Sequence, residues 1–259
     1  MLLAVDVGNT QTMLGVFDGD RLASHWRIAT RRERTADELA LLFGGFLQQE
    51  SLSFSKQITG VVIASVVPDQ TQALREMVRD YFHFSPVIVE PGIRTGIPIL
   101  TDNPKEVGAD RIVNALAAFS RYGGPCIVVD FGTATTYDAV SGDGEYLGGA
   151  IAPGIQVSGA ALFAAAARLP RVEIRVPRSV IGKNTVESVQ SGLLFGTAAE
   201  VDGIVERMQK ELGGGATVVA TGGLAEPVVS ACHTVQHHEP WLTLEGLRLV
   251  FEKNTTRDD

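Results

Sequence analysis

The sequence predicts a duplicated α/β fold: two domains, each a mixed β-sheet flanked by helices, with a β-meander opening each one. Three observations predict it. Leu3 to Phe17 reads LAVDVGNTQTMLGVF and Ile127 to Val140 reads IVVDFGTATTYDAV, each a β-branched run, then Asp-x-Gly-[Asn/Thr], then a second run containing Thr. Asp6 and Asp130, Gly8 and Gly132, Asn9 and Thr133, and Thr12 and Thr136 share one constant offset, close to half the chain. Downstream of each copy, strand-like apolar runs alternate with segments of helical periodicity, the pattern of α/β layers. A chain of 259 residues is long enough to give both halves a core.

In order, Leu2 to Val7 and Gln11 to Phe17 are expected as strands, reversed at Asp18-Gly19-Asp20 into a third from Leu22 to Ile28. Thr35-Ala36-Asp37-Glu38 has capping-box spacing and precedes Leu39, Leu42, Phe43, Phe46 and Leu47 on one helical face. Gly60 to Val67 is apolar on both faces, as a buried parallel strand is, and Pro68-Asp69 opens a helix to about Tyr81. Pro86 to Val89 is a short strand, and Ala109 to Arg121 a helix. This order is ribonuclease-H-like. Gly123-Gly124-Pro125 breaks the chain and sets the expected boundary between domains 1–122 and 123–259.

The second half repeats the meander: Cys126 to Asp130, Thr135 to Val140 and Tyr146 to Ile151, with a turn at Gly142-Asp143-Gly144. Helices are expected from Ile155 to Ala167 and Val186 to Leu212. A strand Thr217 to Thr221, a Gly222-Gly223 turn, a helix, a strand near Thr234 to His237 and a last helix from Leu242 follow. The polar tail Asn254 to Asp259 is expected to fray.

Composition narrows the function classes. Hydrophobic residues at 45% and charged residues at 20% describe a soluble globular chain without a membrane-spanning run. Asp6 interrupts the apolar start too early for a secretory signal, so a cytoplasmic location is expected. Two cysteines, Cys126 and Cys232, offer no metal or redox spacing. The net charge of −8 argues against general nucleic-acid binding, and the Arg31, Arg32, Arg34 cluster, interrupted by Glu33, reads as a solvated loop.

An Asp at the end of a buried strand, followed by Gly and by hydroxyl or amide side chains in a tight hairpin, suits a polyphosphate. Gly8 and Gly132 let a phosphate approach the backbone. Asn9, Thr10, Thr12, Thr133 and Thr136 supply donors, and Asp6 and Asp130 supply hard oxygens for a cation. Two such hairpins facing across a central cleft would grip a polyphosphate from both sides. One copy alone also fits an ordinary turn. Asp110 and Arg111 stand at the first turn of a helix, where N–H groups and the dipole favour anions and Arg111 can pair with a carboxylate; a local Asp–Arg pair is the plain alternative.

The paired hairpins resemble those of the acetate and sugar kinase, Hsp70 and actin superfamily. Asp102 to Arg111 (DNPKEVGADR), Asp130 to Thr136 (DFGTATT), Gly148 to Gly154 (GGAIAPG) and Thr221-Gly222-Gly223 narrow the resemblance to type III pantothenate kinases, over Asp6 to about Asn254. The resemblance implies two actin-like domains and an ATP-dependent phosphorylation of pantothenate, the first step towards coenzyme A. It implies Asp110 as catalytic base, and Asp6, Val7, Gly8, Asn9, Thr10, Gln11, Thr12, Met13 and Thr133 as ATP contacts. Gly108, Ala109, Asp110, Arg111 and Thr185 are implied at the pantothenate site. Asp130 is implied as ligand to a monovalent cation, potassium or ammonium, and Asp6 is a candidate for the magnesium that travels with ATP. A homodimer joined through the second halves is also implied, with the Ile155 and Val186 helices at the interface. The family usually has Tyr before Asp-Asn-Pro; here Thr101 takes that place as a weaker substrate candidate.

Some family members resemble a transcriptional accessory factor, so a non-catalytic regulator is the alternative from another class; a related small-molecule kinase is a third. The retained Asp6, Asp110 and Asp130 disfavour the regulator. Gly182-Lys183-Asn184-Thr185 lacks the first Gly and the Ser/Thr of a P-loop. Cys232, His233, His237 and His238 lack zinc-site spacing and read as a strand-edge cluster. Thr185 has a plain alternative as a helix N-cap, and Ala220 to Gly223 as a turn, or as the superfamily's approach to adenosine.

Overall fold

The computed structural model describes residues 1–54 and 56–255. The chain forms two compact units. One holds Met1–Gly96, Asn103–Ala117 and Thr243–Asp259; the other holds Ile97–Asp102 and Ala118–Leu242.

The first unit is built on a five-stranded sheet. β1 (Leu2–Val7) pairs antiparallel with β2 (Gln11–Asp18), and β2 with β3 (Arg21–Ala29). On its other side β1 runs parallel to β4 (Gly60–Ser65), which pairs with the two-residue β5 (Val87–Ile88), giving the order β3-β2-β1-β4-β5. The face bearing Leu3, Val5, Val7, Leu14 and Val16 packs with Leu39, Phe43 and Leu47 of α1 (Ala36–Gln49) and Leu74 and Met77 of α2 (Pro68–Met77). α1 starts at the capping box expected from Thr35 and Glu38. The expected helix to Tyr81 instead changes at Val78 into a π-helical turn, Val78–Phe82, which ends on His83 with a left-handed φ of 63°.

The second unit repeats this topology. β6 (Cys126–Phe131), β7 (Ala134–Val140) and β8 (Tyr146–Pro153) form the meander; β9 (Thr217–Thr221) and β10 (His237–His238) add in parallel, giving β10-β9-β6-β7-β8. Ile127, Val129, Phe131, Tyr137, Val218 and Ala220 face Ala198, Val201 and Val205 of α5 (Thr185–Glu211). α4 (Ile155–Ala165) and the short α6 (Ala225–Val229) complete the unit. The strand expected near Thr234 begins only at His237. The Thr234 N–H and hydroxyl both donate to Asp202 Oδ1, at 3.0 and 2.7 Å, which takes that residue out of the ladder.

The contacts do not divide the chain at the expected 122/123 boundary. α3 (Ala109–Tyr122) contributes its residues through Ala117 to the first unit. α7 (Leu242–Thr255) returns there from the far end of the sequence: Leu244 packs on Gly15, Phe251 on Gly60, and Arg248 bonds Asp20 at 2.7 Å. Conversely, Pro98 and Leu100 exchange backbone bonds with Tyr146, both at 2.8 Å, so that linker belongs to the second unit. The expectation of a frayed tail falls, beyond Thr255, outside the described residues. No described helix is long and apolar enough to cross a membrane.

Candidate active site

In the first unit, β1 delivers Asp6 half-buried near its end, and the chain turns through exposed Asn9, Thr10 and Gln11. The turn closes by a bond from Gly8 N–H to Gln11 O at 3.0 Å. The end of β3 braces it: Thr30 N–H donates to Thr10 O at 2.9 Å, and the Thr30 hydroxyl donates to Gly8 O at 2.8 Å. Thr12, 4% exposed, lies 2.9 Å from the Thr30 hydroxyl. With the Thr30 proton spent on Gly8, the Thr12 hydroxyl is the donor of that pair. Thr12 pairs with Val7 and Met13 with Asp6, so the Thr12 side chain lies on the core face, opposite to Asp6. The Thr12 proton is thus taken up by Thr30. Val7 is likewise a core residue, 1% exposed, and its carbonyl accepts from Val66 N–H at 3.0 Å. The bracing Thr30 lies outside the Asp-x-Gly pattern, so no motif pointed to it.

The second hairpin is one residue shorter. Three residues separate the paired Phe131 and Thr135, against four between Val7 and Thr12, and the turn closes from Gly132 N–H to Ala134 O at 3.0 Å. The shift of one brings Thr136, rather than Tyr137, opposite Asp130. On the other side of β6, Thr221 is the parallel partner of Asp130. Gly222, at φ 97°, lies so close that a Cβ there would stand 2.4 Å from Asp130 Oδ1. Thr133 is exposed at the tip, and its carbonyl accepts from Gly154 N–H at 3.1 Å. An acidic oxygen flanked by hydroxyls and a glycine turn is a donor set that fits a hard, singly charged cation.

Asp110 stands in the first turn of α3, where Gly108 O accepts the first helical bond from Ile112 N–H at 3.2 Å. The carboxylate folds back over Gly108: a Cβ at that glycine would lie 2.5 Å from Asp110 Oδ1. The same oxygen accepts from Arg111 N–H at 2.8 Å. Burial pushes the Asp110 pKa up, against the lowering influence of the Arg111 N–H and the Arg111 charge. A carboxylate with raised basicity at a helix start is suited to accepting a proton. Gly108, Ala109 and Arg111 therefore lie with Asp6 to Met13 in the first unit, whereas Thr101, Asp130, Thr133 and Thr185 belong to the second.

The Thr101 hydroxyl is buried without a hydrogen-bond partner among the described residues, and its methyl group stands near Gly148. Thr185 is the first residue of α5, not its cap. Asn184 caps the helix, accepting from Glu187 N–H at 2.9 Å, which leaves Thr185 exposed. Thr185 lines a pocket of about 600 Å³ with Leu162, Leu169, Lys183 and Val189. A second pocket, about 570 Å³, lies beside the Gly222-Gly223 turn and is lined by Gln156, Phe163, Arg171, Ile174, Leu224 and Glu226.

The Cys232 to His238 segment holds no metal cluster among the described residues. Burial pushes the Cys232 thiol up to about 12. His233 is clamped by Asp202 at 2.6 Å and Glu206 at 3.1 Å; hydrogen bonding to Glu206 and the Asp202 charge raise its pKa.

A family model of type III pantothenate kinases matches residues 2–207. The type III pantothenate kinase of Streptomyces coelicolor is 56% identical over 264 residues, covering 99% of this chain and 100% of that one. Among solved structures, component A of the (R)-2-hydroxyglutaryl-CoA dehydratase of Acidaminococcus fermentans aligns at a TM-score of 0.60 and 14% identity, covering 98% and 99% of the two chains. The activator of the 2-hydroxyisocaproyl-CoA dehydratase from Clostridium difficile, with bound ADPNP, aligns at 0.54 and 13% identity over 100% and 98%. These two share the fold. From the family match and the full-length identity, the chain belongs to the type III pantothenate kinase family.

Proposed function

We propose that the protein transfers the γ-phosphoryl group of ATP to the primary hydroxyl of pantothenate, giving 4'-phosphopantothenate and ADP in the first step towards coenzyme A. The observation that carries this reading beyond family membership is Asp110, a carboxylate of raised pKa folded over Gly108 at the start of α3. Asp110 takes the hydroxyl proton as the substrate oxygen forms its bond to the γ-phosphorus and the bond to the β-phosphate oxygen breaks. Arg111, adjacent on the same helical turn, holds the pantothenate carboxylate, with Gly108 and Ala109 allowing close approach. Thr185, which lines its own pocket, and Thr101 more weakly are the substrate-contact candidates of the second unit.

Gly8 to Gln11 present the first phosphate-binding turn, and Thr133 the second. Asp6 and Asp130 have the oxygen chemistry for magnesium and a monovalent cation respectively. Bound magnesium would neutralise phosphate charge. The protein's part is to hold the phosphates on backbone N–H groups and to orient the acceptor. The pocket beside Gly222-Gly223, whose lining mixes Phe163, Ile174 and Leu224 with Gln156, Arg171 and Glu226, suits the nucleoside.

Support for a homodimer through the second halves lies in exposed apolar residues. Among the described residues, every exposed large hydrophobic except Leu41 and Tyr81 belongs to the second unit, including Leu147 and Ile151 on β8, Val157 and Leu162 on α4, and Val186 on α5. A non-catalytic regulator is not favoured, given the kinase named at 56% identity across the chain. The test is phosphopantothenate formation from ATP and pantothenate. Turnover is expected for the native protein and a loss of about 10²–10⁴-fold for Asp110→Asn; full activity in that variant would remove Asp110 as base.

A further inference from the structure

Asp130 sits in the middle of a row of oxygen-bearing side chains that runs across three strands. Its antiparallel partner on β7 is Thr136 and its parallel partner on β9 is Thr221. Residues directly opposed on neighbouring strands put their side chains on one face. That face is opposite to the one on which Ile127, Val129, Phe131 and Val218 pack against α5.

The two hydroxyls are prepared differently. Thr221 is 1% exposed, and its hydroxyl is buried with no hydrogen-bond partner among the described residues, a condition native proteins rarely tolerate without a ligand or an ordered water. Thr136 donates its single proton to Asp138 Oδ2 at 3.1 Å. Asp138 is fully buried, and its other oxygen, Oδ1, accepts from the Tyr146 hydroxyl at 2.7 Å. With its proton directed to Asp138, Thr136 has only lone pairs left to offer. Gly222, next along the chain after Thr221, lies against the carboxylate, since any side chain there would collide with Asp130 Oδ1.

We propose that the Thr136 and Thr221 hydroxyl oxygens complete, with the Asp130 carboxylate, the protein's share of a monovalent-cation shell, and that Asp138 is a positioning residue holding Thr136 as an acceptor. The proposal rests on the reading of Asp130 as a cation ligand. One carboxylate flanked by neutral oxygens suits a large, singly charged ion; a divalent ion of the calcium type gathers more carboxylate charge. Asp138 is spent on Thr136 and Tyr146.

The test is thermal unfolding of the full chain in choline chloride, titrated with KCl at constant ionic strength, alongside the potassium dependence of phosphopantothenate formation. Binding to the folded state raises the melting temperature by mass action. The native protein and Thr221→Ser are expected to share one half-saturating potassium concentration. Thr221→Val, which keeps shape and removes the oxygen, is expected to raise it about tenfold or more in both readouts. In choline alone Thr221→Val should melt no lower than the native protein, because the hydroxyl it removes has no partner. Thr136→Val provides a second variant with the same expected shift. Asp138→Asn should move the half-saturating concentration with kcat at saturating potassium retained. If potassium does not stabilise the native protein, the reading of Asp130 itself fails. If it does, and the valine variants titrate like the native protein, the proposed shell is overturned while Asp130 stands.

Discussion

Gly108→Ala separates the position of the catalytic carboxylate from its presence. The added methyl carbon would stand 2.5 Å from Asp110 Oδ1, and ordinary contact begins at 3.4 Å, so the carboxylate must retreat by about 0.9 Å. The obstacle is the mobile end of a side chain, so the fold can absorb it. Alanine is also a poorer residue than glycine where the α3 helix begins, at a cost of about 1 kcal/mol. A displacement near 1 Å at a reacting group costs up to about 10²-fold in rate. The expected result is a kcat reduced by roughly ten- to a hundredfold, ATP KM within about twofold of native, and only a small loss in melting temperature. Steady-state phosphopantothenate formation and a thermal melt on the same preparation measure both. An alanine variant with native kcat would refute the argument that Asp110 acts from its position over Gly108.

Other consequences are equally open to measurement. Because burial raises the Asp110 pKa, the acidic limb of kcat/KM should lie above the ordinary carboxylate range, with activity lost as the pH falls through it. The sign for stability is the reverse of a salt-bridged carboxylate. The folded protein binds this proton more tightly than the unfolded chain, so Asp110 costs stability above its folded pKa and stops doing so below its unfolded value. Asp110→Asn should therefore melt no lower than native at neutral pH; a clear drop would contradict the burial argument. Asn184→Ala removes the cap on Glu187 N–H and should cost about 1 kcal/mol in denaturant unfolding. Gly222→Ala meets both a φ of 97° and backbone atoms of Phe131 at 2.6 Å, and should cost about 2–4 kcal/mol or prevent folding; a native-like melt would show that the turn can relax.

Most of the fold was legible because its signals are local and physical. The Thr35 capping box, the β-branched runs and the paired Asp-x-Gly turns each state a backbone preference that packing then reinforces. What escaped depends on distance along the chain. α7 joins the first unit through Leu244 and Phe251, more than half a chain from Gly15 and Gly60, and a helical period cannot say which sheet a helix will cover. Asn184, rather than Thr185, became the cap by a shift of one residue, the usual margin of a boundary read from composition. At the site, Asp6, Asp110 and Asp130 were visible as residue types in motifs. Thr221 was visible only as part of the Thr221-Gly222-Gly223 motif, and Asp138 and Thr30 carried no site signal, because their significance is set by register and by partners on other strands.

The one-residue difference between the hairpin tips reaches beyond geometry. Both halves carry a threonine at the same place in the repeat, yet β2 turns Thr12 inward as a strut and β7 turns Thr136 outward beside an acid. Two copies of one motif thus stand in the chain, and the length of a turn sets which way each threonine faces. After such a change, kinship between the halves survives in the letters while the chemistry follows the pleat.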